Sequence, residues 1–227
     1  MRHKEEFRLR GPNMRIGVIG SASVGQTLAS GLKQHGYDVR IGSRTPAKLA
    51  EFSHKSGVQT GTFADVAAWA EAVVLAVKGA VAAEALAAAG AANLAGKLVI
   101  DTTNPIATEP PEDGVLKYFT SPNESLMERL QTAFPAAKFV KAFNSVGAGL
   151  MVNPSFPGRA KPTMFYCGND AAAKTVIATI IDQFGWIGSD LGSAKAARAI
   201  EPLCQLWCIP GFLHNDWTGH AFHLLTR

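Results

Sequence analysis

Short apolar runs alternate with helical stretches along most of this chain, and the runs carry no polar alternation. Residues 16–19, 38–42, 58–60, 72–77, 98–102 and 138–143 read as strands, with helices expected at 24–35, 46–56, 65–70, about 80–92 and 126–133. A strand without a polar face is buried on both sides. That requires helices above and below the sheet, which in turn makes the sheet parallel. Residues 14–153 are therefore predicted to form a Rossmann-type, doubly wound α/β sheet. The stretch "NPSFPGRAKP" then breaks the pattern with its prolines and reads as a linker. A small C-terminal α/β unit is expected over 154–227, built from a strand at 163–167, a helix at 171–184, a strand at 186–189 and a helix at 194–208. Residues 1–13, "MRHKEEFRLRGPN", are read as a leader outside the fold, either a disordered arm or the product of an upstream start.

Composition removes several functional classes. With 47% hydrophobic and 18% charged residues among 227, the chain reads as soluble and globular. Its formal charge of +4 is spread out, and no Lys/Arg block is interleaved with aromatics, so nucleic acid is not an expected partner. No apolar run is long enough to span a bilayer, and the leader lacks the apolar core of a signal peptide. A cytoplasmic protein without a membrane partner is expected. Cys167, Cys204 and Cys208 make no disulfide framework. Cys204 and Cys208 fall on one helix face, where small buried hydrophobes are a plainer reading than zinc or redox chemistry.

The first strand–helix corner carries the sharpest motif. "GSASVG" at 20–25 keeps the first and third glycines of a dinucleotide-binding turn and replaces the second by Ala22. Gly20 permits the bend, and Gly25 lets helix and strand approach. Ala22 adds one methyl where a pyrophosphate would lie, while Ser21, Ser23 and Val24 open the helix whose amides would face it. The second strand ends in "GSRTPAK", with no carboxylate to hold a ribose 2′-hydroxyl. Ser43, Arg44 and Lys48 instead suit a 2′-phosphate, so NADP is expected over NAD. Ala76, Val77 and Lys78 end the fourth strand, and Asn104 and Pro105 close the fifth. Both groups face the crevice beyond the strand ends, as does Asn144 after the sixth. For Asn104 a simple proline-stopped strand end is the competing reading.

These segments, together with "AVVLAVK", "LVIDTTNPI", "VKAFNSVGA" and "ARAIEPL", resemble the coenzyme F420-dependent NADP oxidoreductases, the NADPH:deazaflavin reductases. The chain also resembles the reductase domains of the eukaryotic six-transmembrane metalloreductases. The resemblance implies NADP contacts at Ser21, Ser23 and Val24, a 2′-phosphate clamp of Ser43, Arg44 and Lys48, and nicotinamide-side contacts at Val77 and Asn104. It further implies a deazaflavin or flavin as second substrate. Ala22, Lys78 and the pair Asn144-Ser145 depart from the family pattern, and the last departure touches the acceptor side.

No catalytic side chain and no metal ligand are expected. Hydride passage to a flavin-like ring needs alignment more than acid–base chemistry, and no Ser-His-Asp set, carboxylate pair or metal cluster is legible. His214, His220 and His223 are irregularly spaced and read as a packed tail, with Trp207, Phe212 and Trp217 as core, acceptor pocket or dimer interface. A small-molecule substrate and a homodimer complete the expectation. The competing readings are an imine or pyrroline carboxylate reductase, a 3-hydroxyacid dehydrogenase and a non-enzymatic NADP(H) sensor.

Overall fold

A computed structural model describes residues 13–227; the expected leader lies outside the described residues except for Asn13. The chain runs β1 (Arg15–Ile19), α1 (Ser23–Gln34), β2 (Asp38–Gly42), α2 (Ala50–Ser56), β3 (Gln59–Gly61), α3 (Phe63–Trp69), β4 (Ala72–Leu75), α4 (Ala82–Ala89), α5 (Ala91–Leu94) and β5 (Leu98–Asp101). It continues through α6 (Leu126–Ala133), β6 (Lys138–Lys141), β7 (Thr163–Gly168), α7 (Ala171–Gln183), β8 (Ile187–Asp190), α8 (Ala197–Ile200) and α9 (Pro202–His214). The strands join in one sheet of order β3-β2-β1-β4-β5-β6-β7-β8. Every pairing is parallel except β6 with β7.

Alternate residues of each central strand enter opposite cores. Ile16, Val18, Ala72, Val74, Leu98 and Ile100 pack on one face, with α1 and α7. Ile19, Val73, Leu75, Val99 and Phe139 pack on the other, with α3, α4 and α6. Both faces are apolar because both are covered, which is why no polar alternation appears in the sequence.

The strands are shorter at their carboxyl ends than the apolar runs suggest. β4 stops at Leu75, β5 at Asp101 and β6 at Lys141, because there the chain leaves its neighbour to turn toward the crevice. Three expected helices also divide: a 3₁₀ turn at Pro46–Leu49 precedes α2, Gly90 separates α4 from α5, and Glu201 separates α8 from α9. Gly90 takes φ +91, a conformation no α-helix continues through.

Residues 154–227 extend the same sheet. β7 turns antiparallel onto β6, Trp186 is buried in the core shared with α1, and its Nε1–H donates to the Met151 carbonyl at 2.9 Å. Tyr37 donates to Gln183 at 2.6 Å, tying α1's end to α7. The sheet therefore runs on across the boundary expected at Asn153.

α6 begins at a capping box in which Ser125 and Glu128 satisfy each other's backbone amides. Glu128 also takes a bidentate pair from Arg198 at 2.7 and 2.9 Å. That guanidinium, helped by Ser125, holds the Glu128 carboxyl below its ordinary value of 4.5. A carboxyl depressed in the folded state stabilises above its unfolded pKa, and the contribution disappears as pH falls through the folded one. Glu128→Gln is expected to lower the melting temperature at about pH 7, with the deficit shrinking as pH falls through the folded pKa and the carboxyl becomes neutral like the amide. A deficit in thermal unfolding that stays constant as pH is lowered overturns this.

Candidate functional site

The β1–α1 corner is built on two close backbone approaches. Gly20 has φ +133, and a Cβ there would stand 2.1 Å from the Ala76 carbonyl oxygen. A Cβ on Gly25 would stand 2.0 Å from the Gly20 carbonyl oxygen. Only glycine satisfies both positions. Ala22 is the N-cap of α1 and offers no side-chain cap, and the first turn holds no acidic residue, leaving the leading amides open to an anion. The methyl of Ala22 is exposed, so it narrows the approach without blocking it.

Beyond this corner lies a cavity of about 640 Å³, the size range of ligand pockets. Gly20, Ser21, Ala22 and Val24 form its floor; Ser43, Arg44 and Lys48 form one wall, and Ala76, Val77 and Lys78 another. Ser43 is buried, its Oγ accepting from Thr45 N at 3.1 Å and lying 3.4 Å from Ser21 Oγ. The Ser43 hydroxyl thereby links the ends of β1 and β2. Arg44, Lys48 and Lys78 are exposed and form no ion pair among the described residues. Three cations around uncapped helix amides, with a backbone too close for any side chain, fit a dinucleotide carrying an extra phosphate.

Not every expected residue lines this cavity. Ser23, Asn104, Pro105 and Asn144 stand outside its lining. Asn104 does not send its amide freely into the crevice: its Nδ2 donates to the Asn144 carbonyl at 2.8 Å, and its Oδ1 accepts from Asn144 Nδ2 at 2.9 Å. Asn144 also donates to the Ile200 carbonyl at 3.0 Å, while its own Oδ1 is buried without a donor. Just before it, Phe143 takes φ +60, a conformation rare for a bulky residue and costing about 1–3 kcal/mol. The strained residue turns the chain so that Asn144 meets Asn104.

Sequence reasoning missed part of the lining. Val81, Glu84, Ala85 and Ala88 from the α4 region face the cavity, as do Thr45, Phe63 and Thr102. The helical spacing of 81, 85 and 88 directly after β4 was the available signal. A buried ion cluster was missed too: Lys141 Nζ lies 2.7 Å from Asp101 Oδ2 and 2.9 Å from Glu201 Oε1. Burial alone would lower the Lys141 ammonium, but the two carboxylates outweigh it and hold the group above its ordinary value.

Two of the tail histidines, His220 and His223, contact backbone carbonyls. His220 Nε2 lies 2.8 Å from the Trp207 carbonyl and Nδ1 3.2 Å from Asp216, while Trp207 Nε1–H donates back to the His220 carbonyl at 3.1 Å. His223 Nδ1 sits 2.9 Å from the Lys161 carbonyl. Among the described residues no three His, Cys, Asp or Glu side chains converge on a metal site. Cys204 and Cys208 are both buried, with sulfurs 4.0 Å apart. Among the described residues, no helix is long and apolar enough to cross a membrane.

The doubly wound sheet, the glycine corner at its first crossover and the cationic cavity beyond the strand ends define a Rossmann-type dinucleotide-binding protein. A family model described as NADP oxidoreductase, coenzyme F420-dependent, matches residues 15–105. A crystal structure from Arthrobacter sp. FB24, of a protein provisionally named an F420-dependent NADP-reductase, is 37% identical. It superposes with a TM-score of 0.87 over 94% of this chain and all of its own. The chain belongs to the coenzyme F420-dependent NADP oxidoreductase family. Metalloreductase STEAP3 of Rattus norvegicus is 29% identical over 88% of this chain, and STEAP2 of Homo sapiens 30% over 90%. The chain spans about two fifths of the length of these curated relatives, 39% and 37% respectively. A reductive aminase from Aspergillus terreus, solved with NADPH4, cyclohexanone and allyl amine, is 18% identical at a TM-score of 0.63 and shares the fold.

Proposed function

We propose that this chain is an NADPH-dependent oxidoreductase that passes hydride between NADPH and a deazaflavin or flavin-like ring. The observation that carries the cofactor half is the wall of Ser43, Arg44 and Lys48 facing the uncapped start of α1 across one cavity. Bound NADPH supplies the hydride. Arg44 and Lys48 neutralise a 2′-phosphate, with the Ser43 hydroxyl as a further hydrogen-bond partner. The α1 amides, flanked by Ser21 and Ser23, receive the pyrophosphate. Val77 and Thr102 bound the nicotinamide ribose in this reading, and Lys78 adds positive potential at the mouth. No residue of the lining is assigned to acid–base work, because a flavin-like acceptor carries its own electron sink.

Family membership and the resemblance to the Arthrobacter protein support a deazaflavin as acceptor. The half of the crevice between the ends of β5 and β6, where Asn104 and Asn144 meet, is the proposed acceptor side. The experiment is a turnover panel: NADPH oxidation with coenzyme F420, with FMN and with a small cyclic imine. Oxidation with F420 or FMN is expected. Turnover of the imine alone would move the chain to the imine reductases, and tight NADPH binding with no turnover would make it a sensor.

A homodimer belongs to the same reading, supported by the exposed apolar side chains of Leu206, Phe212 and Leu213 on α9. Sedimentation equilibrium tests it, and a monomer overturns it. Three free, buried cysteines support the cytoplasmic placement.

A further inference from the structure

Beneath the acceptor side, the proposed hydride transfer leaves one costly feature unused. Lys141, Asp101 and Glu201 bring three charges together at 0 to 2% exposure. Such a cluster gives little stability over apolar residues of the same volume, because desolvation offsets the attraction between its members. What it does hold is connection. Besides its two carboxylates, Lys141 Nζ donates to the Thr103 carbonyl at 2.7 Å. Asp101 Oδ1 accepts from both the amide and the hydroxyl of Thr103, at 2.9 and 2.7 Å. The Glu201 carboxylate accepts from the Leu126 and Met127 amides at 2.9 and 3.0 Å, and the Glu201 carbonyl accepts from Tyr118 at 2.7 Å.

The segments thus gathered are those that border the end of the crevice away from Arg44. Thr103 is bound from both sides, and Asn104 follows it directly. Asn144 joins Asn104 to the Ile200 carbonyl, one residue from Glu201. The strained Phe143 sits two residues after Lys141 and one before Asn144. A residue held in a left-handed conformation persists only where its surroundings over-determine it, and Phe143 lies between Lys141 of the cluster and the hydrogen-bonded Asn144.

We propose that Lys141, Asp101 and Glu201 are positioning residues that hold Thr103, Asn104 and Asn144 in the arrangement the acceptor side requires. The inference rests on the reading of that side as the acceptor's. In the strand order, β1, β4 and β5 separate Lys141 on β6 from Ser43 and Arg44 at the end of β2. A disturbance at the cluster therefore reaches the acceptor side without reaching the 2′-phosphate wall.

Three variants test this. Lys141→Met removes the bridging cation. The triple variant Asp101→Asn/Lys141→Met/Glu201→Gln removes every charge and leaves none orphaned. Thr103→Val deletes one hydroxyl at nearly constant shape. For all three, amide hydrogen exchange over 103–106 and 143–147 is expected to quicken at least about tenfold. NADPH affinity, read from its fluorescence, is expected to stay within about threefold of wild type, while kcat with coenzyme F420 falls by about tenfold or more. If the charged-site variants do not fold, Thr103→Val decides by the same pattern. Unchanged exchange at both segments, an unchanged kcat, or an NADPH affinity that falls in step with kcat overturns the proposal. A wild-type enzyme inert toward F420 and FMN overturns the acceptor reading instead; exchange and NADPH affinity then still decide whether the cluster positions these segments.

Discussion

Gly25→Ala is expected to weaken NADPH binding severely and to destabilise the whole fold. The added Cβ would stand 2.0 Å from the Gly20 carbonyl oxygen and 2.9 Å from its carbon, both backbone atoms that cannot rotate away. Relief requires α1 to move off β1 or the turn to open. The first loses packing of Leu28, Ala29 and Leu32 against the sheet, and the second moves the amides meant for pyrophosphate. Overpacking of this kind costs about 1–3 kcal/mol in stability. Displaced phosphate donors add a loss in affinity of about a hundredfold or more, since each 1.4 kcal/mol is tenfold. Chemical denaturation and NADPH fluorescence titration measure the two effects separately. Wild-type affinity in a folded variant would show that the turn tolerates a methyl and that the close approach is incidental.

Arg44→Ala is expected to act on binding alone. The side chain is exposed and has no ion pair among the described residues, so its removal leaves no orphaned group and costs the fold little. A charge-assisted hydrogen bond contributes about 1.5–3 kcal/mol, which is a tenfold to hundredfold weakening for NADPH. NADH, which lacks the phosphate, should bind the variant as it binds wild type. Parallel titrations of both nucleotides check the difference. Equal affinities for NADPH and NADH in wild type, or equal losses for both in the variant, would remove Arg44 from the 2′-phosphate site. Lys48, close by on the same wall, is expected to show the same selectivity at smaller scale, since an ammonium contacts phosphate as a point charge.

Much of the cavity lining was legible because it is local. "GSASVG" and "GSRTPAK" place a turn and a strand end, and the pairing of β1 with β2 brings Ser21 and Ser43 to 3.4 Å. The α4 wall, with Glu84, Ala85 and Ala88, was written in helical spacing but reads equally as ordinary core. The side proposed for the acceptor was not legible. Asn104 promised an amide directed into open space, yet tertiary packing turns it onto Asn144, forty residues away. Phe143 reads as the last residue of a strand, and the strand stops two residues earlier because its neighbour ends at Asp101.

The sequence alone determined the parallel, doubly wound sheet, since a strand apolar on both faces must be covered on both. It also carries the expectation of NADP over NAD, since that rests on which side chains follow one strand. Tertiary structure alone decided that β7 and β8 continue the same sheet, with β7 running antiparallel to β6. It likewise decided that Lys141 meets Asp101 and Glu201. Edge pairing and buried charge pairing depend on which distant segments the fold brings together, and local spacing carries no record of that.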